Sequence, residues 1–127
     1  MFIKVNDLKL YYEKSGSGQP ILLLHGNGED HRIFEKQISF LQSRFRLIAI
    51  DSRGHGRSSF ARPVSISQMA DDTLAVLDAL QIPHAGVLGY SDGGNIALQL
   101  ACTHPGRVSA LAVSGANLSP AGVKWYV

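Results

Sequence analysis

The chain has 127 residues, the usual size of one domain, and its 45% hydrophobic content is that of a soluble globular protein able to bury a core. Its net charge is only +2 and the basic residues (Lys4, Lys9, Lys14, Arg32, Arg44, Arg46, Arg53, Arg57) are scattered, with no basic stripe interleaved with aromatics, which argues against nucleic acid as a partner. Cys102 is the only cysteine, which excludes an internal disulfide framework; the start lacks a signal peptide's apolar stretch and no run approaches membrane-spanning length, so a cytoplasmic protein with no membrane partner is expected.

In chain order, Phe2, Ile3 and Val5, then Leu8, Leu10 and Tyr12, alternate around Asn6-Asp7 and predict an antiparallel hairpin. Ser15 to Gly18 is a loop. Ile21 to Leu24 is apolar without alternation, as in an interior parallel strand covered on both faces, and ends in His25-Gly26-Asn27-Gly28. Ile33, Phe34, Ile38 and Leu41 have helical spacing, with His31 expected on that helix's surface. Arg46 to Ile50 is the next strand, closing on Asp51-Ser52-Arg53-Gly54-His55-Gly56-Arg57-Ser58. Ser67 is a candidate N-cap for a helix carrying Met69, Ala70, Leu74, Leu77 and Leu80, with Asp71 and Asp72 in its early turns and Pro83 as its stop. Ala85 to Leu88 predicts a strand, Ile96, Ala97, Leu100 and Ala101 a helix ended by Pro105, and Val108 to Val113 a last buried-type strand running into Ser114-Gly115-Ala116-Asn117. Alternating strands and helices imply an α/β fold with right-handed crossovers. We expect a three-layer αβα sandwich whose sheet is mostly parallel with an N-terminal antiparallel hairpin, in one domain spanning 1–127. Loops at the carboxyl ends of the parallel strands should line the site, and His25 to Gly28, Asp51 to Ser59, Ser91 and Asn117 all fall there.

The organising stretch is Gly89-Tyr90-Ser91-Asp92-Gly93, a Gly-x-Ser-x-Gly sequence between a strand and a helix. That context is the signature of a nucleophile elbow, in which a strained turn lifts a hydroxyl clear of the sheet. Side chains at positions 89 and 93 would collide with neighbouring backbone as the turn closes. The helix that follows points its positive end at the site, with the N–H of Asp92 placed to meet a developing oxyanion. The commoner reading of a bare Gly-x-Ser-x-Gly, a serine in a glycine-rich loop, does not account for the strand before it and the helix after it.

With these loops in place the sequence resembles the α/β-hydrolase superfamily, and within it the small esterase and lactonase branch that includes enol-lactonases and valacyclovir-hydrolase-like enzymes. Three motifs carry the resemblance, in order and at compatible spacing: His25-Gly26-Asn27-Gly28, Asp51-x-Arg53-Gly54-His55-Gly56-x-Ser58, and Gly89-x-Ser91-x-Gly93. The resemblance implies that Ser91 is the nucleophile and that the N–H of Asn27, the residue after His-Gly, is one oxyanion donor beside that of Asp92. It implies a small-molecule ester-type substrate; no cofactor is expected, and no metal site, because the histidines and acids are dispersed without close ligand spacing. The Asp92 side chain, fixed to the elbow, is read as a helix-start carboxylate rather than a triad acid.

The family runs its triad in the order Ser, acid, His, and here the pattern breaks. After Ser91 the only acidic residue is Asp92 and the only histidine His104. A helix joining Ser91 to His104 extends about 15–20 Å at 1.5 Å per residue, too far for contact. His84 lies before the elbow strand, at the sheet's opposite end. His25 and His55 are at the correct end, where the family uses them to shape loops. Asn117 follows the last strand where some relatives place an acid, and it cannot carry that charge. The expectation is therefore a truncated α/β-hydrolase fold: an N-terminal portion lacking the cap and last strands, with Ala121 to Val127 as the start of that cap. Such a portion alone should be inactive, with the strand at Leu111 a bare edge open to homodimer formation.

Two other readings compete. Gly26-x-Gly28 after a strand, with Asp51 ending the next, suggests a dinucleotide-binding domain, but His31 stands at the third glycine position and Gly-x-Ser-x-Gly is left unexplained. The other is a non-catalytic member of the same fold, serving as an interaction module.

Overall fold

The structure, a computed structural model, describes residues 1–116. The hairpin forms as expected. β1 (Phe2–Val5) pairs antiparallel with β2 (Leu8–Ser15), with Val5 opposite Leu8. Asn6 and Asp7 both take positive φ, 48° and 60°, the left-handed two-residue turn whose twist matches that of the strands. β2 then lies antiparallel to β4 (Phe45–Ile50), and β3 (Gln19–Leu24) is parallel to β4 on one side and to β5 (Ala85–Tyr90) on the other. β6 (Val108–Ser114) adds parallel to β5, giving the order β1-β2-β4-β3-β5-β6.

Burial follows the sequence pattern. Leu22, Leu23 and Leu24 are wholly buried because both faces of β3 are covered. On one face Leu22, Leu24, Ile48, Ile50 and Val87 pack with Val76 and Leu77 of α2 (Ile66–Ala79) and Ile96 and Leu100 of α3 (Asp92–Thr103). On the other, Leu23, Leu47 and Ala49 lie with Phe34 from a 3-10 turn (His31–Phe34), joined by Ile38 and Leu41 of α1 (Glu35–Leu41). Helix, sheet and helix make three layers, and each fully buried Leu or Ile contributes about 1.5–3 kcal/mol. Among the described residues no helix is long and apolar enough to cross a membrane.

Two local expectations are corrected. The N-cap of α2 is Ser65, not Ser67: Ser65 has extended backbone (φ −128°, ψ 159°) and its hydroxyl accepts from the Gln68 N–H at 3.1 Å, whereas Ser67 is already helical. The helix ends at Ala79, before Pro83 can act, where Gln81 turns to φ +58°. β6, whose apolar run is of the buried type, forms the bare edge expected at Leu111: its residues from Ser109 to Ser114 are exposed, with Leu111 and Val113 each 40% accessible. The reason is topological: among the described residues β5 is the one strand that β6 pairs with. Asn117 and the stretch from Ala121 to Val127 lie outside the described residues.

Candidate active site

Ser91 sits between β5 and α3 with φ 53° and ψ −118°, a conformation that costs a non-glycine residue about 1–3 kcal/mol. The turn is held from both sides. The Ser91 N–H donates to the Ser114 carbonyl at the end of β6 (2.7 Å), and the Ser91 carbonyl accepts from Asn95 N–H (3.1 Å). Glycine is required at both flanks: a Cβ on Gly93 would overlap the Leu24 carbonyl, and one on Gly89 would overlap the Gly93 carbonyl. The half-buried Ser91 side chain does not cap α3, and its hydroxyl makes no hydrogen bond among the described residues. The first amides of α3, that of Asp92 foremost, lack intrahelical acceptors and carry the positive end of the helix dipole.

The loop after β3 comes against this elbow. A Cβ on Gly26 would stand 3.1 Å from Ser91 Cβ and 3.4 Å from the Tyr90 carbonyl, so only a bare backbone approaches the serine this closely. Gly26, Asn27 and Asp92 line one small crevice of about 10 Å³ together with His25, Ser52, His55, Met69 and Ile96. The three residues singled out in the sequence, Ser91, Asn27 and Asp92, thus come to one end of the sheet. Their partners there are loops following β3, β4 and β5.

The histidines divide by position. His25 is 2% exposed, and both ring nitrogens are engaged: Nε2 accepts the Ser52 N–H at 3.0 Å, which leaves the proton on Nδ1 to donate to the Gly26 carbonyl at 2.7 Å. Burial pushes its pKa below the usual 6.5, with the nearby His55 adding to the shift against the raising effect of the Gly26 hydrogen bond. His55 turns Nδ1 to the Arg53 carbonyl (3.0 Å) and Nε2 towards Asn27 Oδ1 (3.4 Å), its ring 5.2 Å from that of His25. His104 caps the far end of α3, exposed beside Thr103, and His84 precedes β5 at the sheet's other end. Each pair of imidazole nitrogens at the crevice therefore serves loop geometry.

Two features escaped the sequence pattern. Asp72 is buried against Arg53, with Oδ2 2.6 Å from Nε and Oδ1 2.7 Å from Nη2, and it also receives Asn6 Nδ2 at 3.0 Å. The fully buried Asp51 is locked as well, Oδ1 accepting the His31 N–H and facing His31 Nδ1, both at 2.8 Å, and Oδ2 accepting the Arg57 N–H at 2.9 Å. His31 is accordingly a half-buried loop lock rather than a helix-surface residue. Asp30, His31 and Asp51, dispersed in the sequence, bring ligand-type atoms within 4.8 Å of one another. Each Asp51 oxygen already accepts a backbone N–H and both Asp30 oxygens hold the Arg32 guanidinium, whose hydrogen bonds lower the Asp30 pKa to about 2. That donor set fits a hydrogen-bonded lock rather than a cation.

The family described as alpha/beta hydrolase fold matches residues 19–125. The putative carbamate hydrolase RutD of Azorhizobium caulinodans is 42% identical over 108 residues, which is 84% of this chain and 41% of that protein. An esterase from Exiguobacterium antarcticum superposes with a TM-score of 0.84 at 37% identity, covering 91% of this chain and 44% of the esterase. The enol-lactonase from Burkholderia xenovorans LB400 gives a TM-score of 0.84 at 31% identity, covering 87% of this chain and 45% of the lactonase. The chain thus spans less than half the length of these relatives. With the fold, the elbow and the family match in agreement, this chain belongs to the α/β-hydrolase fold family.

Proposed function

We propose that residues 1–127 form the nucleophile-bearing portion of a serine hydrolase acting on an ester, lactone or similar acyl bond. The observation that carries this reading is the backbone of Ser91, held at φ 53° and ψ −118° with a free hydroxyl beside Gly26. In the reaction Ser91 Oγ attacks the acyl carbon, its proton passes to a general base, and the carbonyl oxygen becomes an oxyanion. The N–H groups of Asn27 and Asp92 receive that oxyanion; one such donor is worth about 2.7–4 kcal/mol of transition-state stabilisation. The acyl-serine then forms as the alcohol leaves, and water releases the acid. A base and its orienting carboxylate are needed for both steps. Neither His25 nor His55 has a ring nitrogen directed to Ser91, and His104 is at the wrong end of α3. The histidine and acid are therefore assigned to chain beyond the described residues, and the 127-residue chain alone is expected to lack enzyme-like rates. The partners on this reading are a small-molecule ester-type substrate and, for the isolated chain, a second copy joined through β6.

The test uses a fluorophosphonate probe, which reacts quickly only with an activated serine. The full-length protein carrying this sequence should label rapidly, Ser91→Ala should not label, and the 127-residue chain should hydrolyse p-nitrophenyl acetate no faster than its Ser91→Ala form. A full-length protein that stays unlabelled overturns the reading in favour of a non-catalytic interaction module. Fast hydrolysis by the 127-residue chain, lost in Ser91→Ala, overturns the assignment of base and acid to further chain.

A further inference from the structure

The point where a Cβ on Gly26 would stand is 3.1 Å from Ser91 Cβ and 2.9 Å from Glu29 Oε1. The carboxylate of Glu29 and the side chain of the nucleophile therefore flank the same bare patch of backbone. A short turn keeps the carboxylate there: the Glu29 N–H donates to the Gly26 carbonyl at 3.3 Å, and Gly28 between them takes φ +75°. Glu29 is half-buried, and its carboxylate makes no hydrogen bond or ion pair among the described residues.

Three acids of the surrounding loops and helix are paired. Asp30 is held by Arg32, Asp51 by His31 and the Arg57 amide, and Asp72 by Arg53. The cations of this end are correspondingly occupied, Arg57 lying over the Tyr11 ring with its guanidinium carbon 4.7 Å from the centroid. Among the described residues the elbow itself adds one charged group, Asp92, of the same sign as Glu29. An unpaired anion beside a centre where negative charge develops is unfavourable unless the substrate itself compensates. A structural role for Glu29 would show as a hydrogen bond to its own loop, and the carboxylate makes none.

We infer that Glu29 is a specificity-determining residue, a charge filter at the nucleophile that favours acyl substrates carrying a cationic group near the scissile carbonyl and rejects those carrying an anionic one. This rests on the serine-hydrolase reading above and adds to it a substrate class. Its reach follows from Coulomb's law: charges several ångströms apart at a half-exposed site change the relative kcat/KM of oppositely charged substrates by about tenfold or more.

The test is a set of three p-nitrophenyl esters of matched size whose acyl chain ends in an ammonium, a neutral or a carboxylate group, assayed on the full-length protein carrying this sequence. The wild type should prefer the ammonium ester over the carboxylate ester, and the preference should narrow as ionic strength rises. In Glu29→Gln the cationic-to-anionic ratio of kcat/KM should fall about tenfold, while Glu29→Asp, which keeps the charge, should retain most of it. Because the readout is a ratio within each variant, a general loss of activity does not mimic it. Unchanged ratios in Glu29→Gln, alongside turnover of the neutral ester, overturn the filter and leave the hydrolase standing. No turnover of any ester, with no fluorophosphonate labelling, overturns the hydrolase reading and the filter with it.

Discussion

At position 25 a wholly enclosed imidazole bridges the loops after β3 and β4 in a single tautomer, and protonating it would set an N–H against the Ser52 N–H donor. The folded protein therefore holds His25 neutral below the pH at which the unfolded chain takes up a proton. Since the unfolded state binds more protons there, the contribution of His25 to stability is complete above pH 6.5 and is lost as pH falls below it. The urea midpoint should decline as pH falls below 6.5, and His25→Gln should flatten that decline while lowering stability at pH 7.5 by about 1–3 kcal/mol through the lost buried hydrogen bonds. Identical pH slopes for the two proteins would show that His25 is not the source. The contrast with Ser91 explains what could be read from the sequence. Ser91, Asn27 and Asp92 are fixed by local chain geometry, and Gly-x-Ser-x-Gly and His-Gly-Asn-Gly carry that geometry in a few consecutive residues. The tautomer of His25, the Asp51–His31 lock and the exposed flank of Glu29 depend on which side chains meet between loops 20 or more residues apart, and no spacing rule encodes those meetings.

Between elements, the Arg53–Asp72 pair ties the loop after β4 to the middle of α2. It is 19 residues long in sequence and almost fully buried at both ends, and Arg53 Nη1 also reaches the Ala61 and Pro63 carbonyls at 3.3 and 3.1 Å. The fork thus closes the whole connection from β4 to α2 around one guanidinium. Breaking such a pair leaves an uncompensated buried charge, so Asp72→Ala should destabilise by about 3–5 kcal/mol, measured by urea unfolding. Replacing both partners with apolar residues of similar volume, Arg53→Met with Asp72→Leu, should cost clearly less than the single change. A mild loss in Asp72→Ala with a larger one in the double variant would mean that the carbonyl contacts of Arg53, rather than the ion pair, hold the loop. The elements themselves were legible because apolar runs and turn residues announce them: Ile21 to Leu24 reads as a strand covered twice, and Asn6-Asp7 as a hairpin turn. The place of Asp72 in the helix is legible in the same way, but an acid in an early helical turn has a ready local explanation in the helix dipole, so its partner is not. Only the fold brings Arg53 to it.

Across the whole molecule the two sheet edges differ in how they are guarded. At one edge β1 is four residues long and places Lys4 directly opposite Lys9, so an incoming strand meets two like charges. At the other, the seven residues of β6, Val108-Ser109-Ala110-Leu111-Ala112-Val113-Ser114, contain no charge at all. Its Ala110 and Ala112 continue the face of Gly86 and Leu88, and with Ile21 and Leu41 they line a shallow apolar hollow of about 250 Å³. A strand that, among the described residues, leaves one row of backbone donors and acceptors unpaired and has apolar side chains and no gatekeeper charge is a template for pairing. For the isolated 127-residue chain the available complement is the same strand of a second copy. The chain should therefore run as a dimer or larger species in size-exclusion chromatography with light scattering, in a concentration-dependent manner. Placing charges on this edge with Ser109→Lys and Leu111→Lys should shift it to monomer, whereas Lys4→Ser at the opposite edge should leave the β6 association intact. A monodisperse monomer at high concentration, or an assembly indifferent to the β6 lysines, would show that the exposed strand does not govern how this chain associates.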